Sequence, residues 1–504
     1  MDTLFLLWQL DTLARAMDHI SNPDNEPFRL QNFIENQFLD LEHTSGWIDS
    51  VCPRSGDLLM KVPVSPENVV EYAVTVASRA FTTWSTTTPL QRSEILLRIA
   101  SLLEEKKDMF TVWESISQGK RLVRAQFEVD RSIEQFRYYA KFILQDENNA
   151  MHINKGSGQT TLTYEHRVPV GVYAMITSSN MPLYLLTSQV AACLAFGCTG
   201  VAKPSEYTSM TAFLFAKVLH QAELPPGVMN IIFGNGPVTG ASLVASPLVQ
   251  GVSFNGGNLT AIQIRKNTAA HVHKRLSFEL RGNGPVLVFG DVDVDDAVST
   301  AAKAAFENTG QLCLSGSRIY VHQSVYKMFL AKLVRSVRKH YWAAKDLGPV
   351  VSREHYDKVR AHLLHAKEMR ARFEIGGIPA EDPTDGFWIN ATVLSNVPTN
   401  SAFAHTEIFG PVTIAYQFDT EDEVINLCNG NPNGMGAVIL TNDLSRMRRV
   451  GERLDAELTW GNCSLGRELG AGHNDTKATG TGREGGARTR DAFTRLRNVH
   501  VPAY

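Results

Sequence analysis

The sequence predicts an α/β protein: two doubly wound α/β domains with a small β element beside them. Three observations carry that expectation. From Val170 to Leu280, short β-branched apolar runs alternate with helix-length segments, the pattern of parallel strands joined by crossover helices. A second series of the same kind starts at Val286 and continues to about residue 440. At 504 residues the chain is long enough for two or three domains.

The elements follow in order. Residues 1–30 read as an extension ending in the loop-prone stretch 21–27. Ser65 and Pro66 supply an N-cap and a first-turn proline, after which Val69, Ala73, Val76, Ala77, Ala80 and Trp84 recur at helical spacing. Thr88-Pro89 opens a second helix through Leu103, and a third covers 131–143. Residues 159–166 alternate in the β manner, as in a projecting hairpin strand. Strands are expected at 170–176, 200–203, 228–233, 251–254 and 275–280, with helices at 182–196 and 208–222. A helix over 294–308 ends at Gly310, and a β-rich run begins at Ser317. The Gly-, Thr- and Asn-rich stretch 470–486 reads as a loop, and 497–501 as a closing strand.

Composition excludes several classes. With 49 basic against 52 acidic residues and a net charge of −3, no basic surface for nucleic acid or an anionic membrane is indicated. The six cysteines, at 52, 193, 198, 313, 428 and 463, form no CxxC pair or metal-type spacing, which argues for reduced thiols, no metal site and a cytoplasmic setting. The apolar run Leu4 to Trp8 is too short for a signal, Asp2, Asp11 and Asp18 disfavour a transit peptide, and no stretch is long enough to span a membrane.

Several stretches can carry chemistry. Cys313 lies on a turn between two rigid elements; it is either a small buried hydrophobe or a thiolate nucleophile presented to a cleft. Gly234-Asn-Gly236-Pro-Val-Thr-Gly240 follows a strand and precedes a helix, so it is either a tight turn or a phosphate cradle, one residue off the usual dinucleotide spacing. Lys203 and Glu206 stand at a strand's carboxyl end, either as solvated charges or as ribose ligands, and a carboxylate there would repel a 2′-phosphate. Glu279 ends an apolar strand, as a partly exposed residue or a general base. Asn180 is a helix cap or an oxyanion donor.

Their order and spacing together resemble the NAD(P)-dependent aldehyde dehydrogenase superfamily: Asn180, Lys203-Pro-Ser-Glu206, the glycine turn, Ser253-Phe-Asn-Gly256, Glu279-Leu280, Cys313 and Glu407-Ile-Phe409-Gly-Pro411. The resemblance covers about residues 30 to 504. The stretch Gly461 to Leu469, with Leu183 to Leu186, looks most like the 2-aminomuconic semialdehyde dehydrogenase branch. The resemblance implies that Cys313 attacks an aldehyde, that Asn180 holds the oxyanion, and that Glu279 activates water. It also implies NAD as cofactor, contacted by Lys203, Glu206, Gly236, Gly256, Leu280, Glu407 and Phe409, and a substrate carboxylate held by Arg467, with Arg124 as a second candidate. Residues 31–147 and 168–278 would form the NAD-binding domain and 279–480 the catalytic domain. Residues 148–167 and 481–504 would form an oligomerisation element, in a homodimer or homotetramer.

The frame departs from the family pattern. Ser178 and Ser179 stand where the family has proline and tryptophan, and Gly257 replaces a serine that contacts the pyrophosphate. Arg281-Gly282-Asn283 replaces two glycines and a lysine, and 472–475 replaces a proline-phenylalanine-glycine-glycine segment. Segments around 341–350 and 376–387 look shortened. The expected function is oxidation of an aldehyde, or more narrowly a carboxylate-bearing semialdehyde, to the acid through a cysteine thiohemiacetal and thioester. The alternative is a catalytically weakened or inactive homologue with a structural or binding role.

Overall fold

The computed structural model describes residues 26–39, 44–145, 149–155, 159–342, 347–474 and 476–503. Most of the expected extension and parts of the 148–167 and 341–350 segments lie outside them. At the described end of the extension, Phe28–Arg29 pairs in parallel with Leu58–Pro63.

Two seven-stranded sheets dominate. The first runs in the order Arg275–Glu279, Val249–Asn255, Val172–Ile176, Thr199–Lys203, Met229–Ile231, Phe33–Ile34, Gln37–Phe38. Its first five strands are parallel, and the last two are antiparallel additions. Strands 172–176 and 199–203 are buried at every position, which explains their unbroken apolar runs: helices cover both faces. The second sheet runs Arg372–Ile375, Thr392–Ser395, Val412–Phe418, Arg318–His322, Pro285–Val288, Gly436–Leu440, Leu458–Gly461, parallel except for the antiparallel edge strand 372–375.

A third, three-stranded sheet joins Thr494–Ala503, Gln159–Pro169 and Ala150–Lys155, all antiparallel. Residues 481–493 are not part of it. Arg483–Glu484 pairs with His473–Asn474 and Gly486–Phe493 is a helix, so two short strands interrupt the expected loop. The N-terminal helices also differ from expectation. The third begins at Leu122, well before the expected start at Arg131, and a helix Lys107–Gln118 precedes it. Gly119, at φ +85°, ends that helix in the left-handed conformation.

The chain passes from the first sheet to the second over residues 280–284, directly against the Cys313 turn. A Cβ on Gly282 would lie 1.6 Å from the Cys313 carbonyl oxygen, so only glycine allows that approach.

Candidate active site

The Cys313 turn is held from several sides. Helix Val294–Phe306 runs into a tight 3-10 turn, Glu307–Gly310, in which Asn308 and Thr309 take positive φ. Gly310 does so too, and a Cβ there would meet the Gly410 carbonyl at 2.1 Å. Asn308 Nδ2 donates to the Asn180 carbonyl at 3.1 Å, the Gln311 side-chain oxygen accepts from the Val351 amide, and Ser315 Oγ reaches the carbonyls of Ala304 and Ala305. Cys313 itself is half-buried, and its Sγ donates to Glu279 Oε1 at 3.7 Å.

Glu279 ends the edge strand of the first sheet, as the sequence predicts. Its second oxygen accepts from Asn255 Nδ2 at 2.6 Å, and Asn255 Oδ1 in turn accepts from Gln189. Both amides belong to the site; Asn255 lies in the Ser253–Gly256 motif without an assigned role, and Gln189 was missed from sequence. Gln189 was detectable as a polar side chain within the apolar helix Pro182–Ala195.

Asn180 is not a helix cap; Met181 holds that position. The Asn180 amide donates to the Gln311 carbonyl at 2.9 Å and its Oδ1 accepts from Ser178 Oγ at 2.5 Å. Beneath it lies Lys120, almost wholly buried, which donates to the Asn180 carbonyl at 3.0 Å and pairs with Glu114 and Glu128. Burial pushes the Glu114 carboxyl up to about 7, against the pull of Lys120.

Cys313, Glu279, Met181 and Leu185 line two cavities, of about 300 and 180 Å³. The larger also holds Tyr184, Leu312, Arg124 and Arg467. Arg467 Nη2 donates to Glu484 at 2.5 Å and contacts the His473 ring at 3.1 Å. Burial opposes ionisation of Glu484, but Arg467 and His473 outweigh it and hold the carboxyl well below its ordinary range. Burial and Arg467 push His473 down to about 4, so the imidazole is neutral. His473 lies in the departed segment 472–475, whereas Glu484 had no local sequence signal and reaches the site on the strand paired with His473–Asn474. The guanidinium of Arg124 is engaged by Glu128 at 2.8 Å, Glu307 at 3.6 Å and Met181 Sδ at 3.4 Å.

The smaller cavity adds Ser178, Asn180, Gly256, Gly257, Leu280, Arg281, His355 and Phe409. Glu407 adjoins it, with Oε1 accepting from the Gly282 amide at 3.0 Å. Burial pushes the Glu407 carboxyl up to about 7, with Arg281 pulling the other way, and its Oε2 accepts no hydrogen bond among the described residues. Phe409 takes φ +56°, and its carbonyl accepts from His355 Nε2 at 2.6 Å. The Leu280 amide donates to the Thr479 carbonyl at 2.7 Å.

Farther along the first sheet, Lys203 Nζ donates to the carbonyls of Gly234 and Pro204 at 2.6 and 2.9 Å and to Glu206 at 3.3 Å. Gly236 opens the expected turn, where a Cβ would meet open space. Asn235 caps that turn through Val238. The departure Asn283 is absorbed into packing: its side chain bonds Ala404 and Ser317, and its carbonyl accepts from Arg318. In the departed segment 472–475, His473 contacts Arg467; Asp475 lies outside the described residues.

These features fit a dinucleotide. The glycines at 236 and 257 leave room for close approach, and the buried Glu407 oxygen lacks the hydrogen bond that a ribose hydroxyl would give. The family described as "Aldehyde dehydrogenase family" matches residues 41–499. The chain belongs to that family.

The chain is 36% identical over 491 residues to 2-aminomuconic semialdehyde dehydrogenase of Homo sapiens, covering 95% of this chain and 99% of that protein. It is 38% identical to the Danio rerio protein of the same name, covering 94% and 98%. The crystal structure of HpcC from Thermus thermophilus matches with a TM-score of 0.91 at 31% identity, covering 97% and 96%. An NAD+ complex of aldehyde dehydrogenase from Bacillus cereus matches with a TM-score of 0.89 at 28% identity, covering 94% and 97%. The chain is thus an aldehyde-oxidising enzyme of a family that uses NAD(P). No helix among the described residues is long and apolar enough to cross a membrane.

Proposed function

We propose that Cys313 is the nucleophile, and that the enzyme oxidises a carboxylate-bearing semialdehyde to its acid. The observation that carries this reading is the pairing of the Cys313 thiol with the Glu279 carboxylate, 3.7 Å apart, where the two cavities meet. Glu279 takes the thiol proton and passes it to solvent, returning to a carboxylate before water is needed, and the sulfur adds to the aldehyde carbon. The carbonyl electron pair becomes an oxyanion, held by the Asn180 amide and the Cys313 backbone N–H. Bound NAD supplies the acceptor for the hydride that leaves this thiohemiacetal. Water then attacks the resulting thioester, Glu279 takes its proton, and the acid leaves as the thiolate reforms. Asn255 and Gln189 orient Glu279 for both proton transfers. Lys120 fixes the backbone that carries Asn180.

Arg467 is the stronger candidate for the substrate carboxylate. Its hydrogen bonds run through Nη2, whereas the Arg124 guanidinium is engaged on three sides. Lys203, Glu206, Gly236 and Gly256 are placed for the adenosine half of the cofactor, and Leu280, Glu407 and Phe409 for the nicotinamide half. The outer strands of the three-stranded sheet support a homodimer or homotetramer, because exposed edges invite pairing with a second copy. Among the described residues the cysteines form no disulfide, which fits a cytoplasmic setting.

The test is NADH formation with neutral and carboxylate-bearing aldehydes of equal length, wild type beside Cys313→Ala. The reading expects turnover that favours the charged aldehyde and falls at least about 1,000-fold in the variant. Undiminished turnover in Cys313→Ala would remove the cysteine mechanism. Equal kcat/KM for the two aldehydes would remove the charged substrate.

A further inference from the structure

The smaller cavity carries an unusual charge. Of the residues lining it, Arg281 and His355 are the basic ones, and burial pushes His355 down to about 4, leaving it neutral. Arg281 is therefore the permanent cation on that wall. It is not an ordinary buried ion pair: its side chain is 44% exposed, and Glu407 Oε2 stands 3.9 Å from its Nε, beyond hydrogen-bond distance. The lysine near the nucleotide turns, Lys203, has its ammonium engaged by two carbonyls and Glu206.

The position of the Arg281 guanidinium gives it a task. It lies beside Gly257, where a Cβ would be 3.7 Å from Nε and 3.9 Å from Nη2. Gly257 precedes helix Asn258–Thr268 and provides no side-chain cap, so the first amides of the helix face the same space as the guanidinium. The Gly236 turn differs, because Asn235 satisfies it internally. An anionic group placed between Gly257 and Arg281 would receive amide and guanidinium donors together. A dinucleotide carries two negative charges at its diphosphate, and the cavity's acids, Glu279 and the adjoining Glu407, oppose their entry unless a cation offsets them.

We infer that Arg281 clamps the cofactor diphosphate from the catalytic side, supplying through a guanidinium the contact that Gly257 has no side chain to make. This rests on the reading that NAD occupies the cavity beside Cys313. The opposite possibility is definite as well. If Arg281 serves Glu407 alone, it fills cofactor space, and removing it should tighten binding.

The experiment measures NADH binding by fluorescence titration for wild type, Arg281→Ala, Gly257→Ser and the double variant, with displacement by ADP and by adenosine. Clamping predicts that Arg281→Ala weakens NADH at least about 10-fold, the worth of one charge-assisted contact, and that the preference for ADP over adenosine shrinks by a similar factor. The weakening should fade in high salt, and Gly257→Ser should recover part of it in the Arg281→Ala background. A general packing defect would weaken adenosine and ADP alike and would overturn the inference. So would an unchanged or tighter Kd in Arg281→Ala. Failure of the wild type to bind NADH at all would sink the cofactor placement itself, a result distinct from loss of the clamp alone.

Discussion

The two cavities that meet at Cys313 are built on different principles. The substrate-side cavity is walled by largely half-buried charges that already have partners: Arg467 with Glu484, and Arg124 with Glu128 and Glu307. The cofactor-side cavity is walled by glycines, an exposed arginine and a carboxylate oxygen that accepts no hydrogen bond among the described residues. A charge network that is already paired can exchange one partner for a ligand of like charge without leaving an ion stranded, which suits selection among small aldehydes. An incompletely satisfied frame gains by binding, which suits a large cofactor that must enter and leave.

The sharpest way to separate the two sides is to disable the oxyanion donor beside the nucleophile. Asn180→Ala is expected to lower kcat by about 100- to 1,000-fold, a loss of roughly 3–4 kcal/mol of oxyanion stabilisation, with little change in NADH affinity. Steady-state kinetics and a binding titration check both halves. A large loss of affinity would mean that Asn180 builds the cofactor wall instead.

On the substrate side, Arg467→Met alone leaves the half-buried Glu484 carboxylate without its main partner, which should destabilise the fold by about 1–3 kcal/mol. Paired with Glu484→Gln, the change should leave a folded enzyme. Its kcat/KM for a carboxylate-bearing aldehyde should fall about 10- to 100-fold relative to a neutral one, the worth of one charged hydrogen-bonded contact. A preference that persists in the double variant would transfer the role to Arg124.

The smallest effect expected is on the cofactor side. Burial raises Glu407 to about 7 in the folded protein, above its ordinary value of 4.5. The folded state therefore keeps a proton that the unfolded state has already lost. This contribution to stability is full below the ordinary value of 4.5 and is lost as pH rises to about 7. Glu407→Gln should remove that decline, so its denaturation midpoint should gain on wild type between about pH 5 and 7. Parallel midpoints across that range would show that Glu407 titrates normally.

The same contrast explains what could be read from the chain. Cys313, Glu279, Asn180 and the two sheets were legible because each depends on a short stretch: a strand end, a turn between two rigid elements, an alternation of period. Gln189, Asn255, Lys120 and Glu484 were assigned no role, because their roles arise from contacts made across 17 to 66 residues of chain. The helix Lys107–Gln118 was missed because its buried face is largely polar, carrying Glu114, Ser115, Ser117 and Gln118 beneath the site. Arg281 was visible as a departure, but its sign was not. The sequence shows an arginine where a glycine is expected, and the geometry shows it turned toward Gly257 and Glu407 rather than into the backbone.

The central claim is that a Cys313 acyl thioester forms and is released by Glu279, and intact-mass analysis of Glu279→Gln tests it most directly. After prolonged incubation at about pH 9, where a thiol ionises without the help of a base, with NAD and an aldehyde that the wild type oxidises, about one NADH should appear per active site. The protein should gain the mass of the acyl group, mapped to the Cys313 peptide. Continued turnover with no adduct on Cys313 would contradict the account.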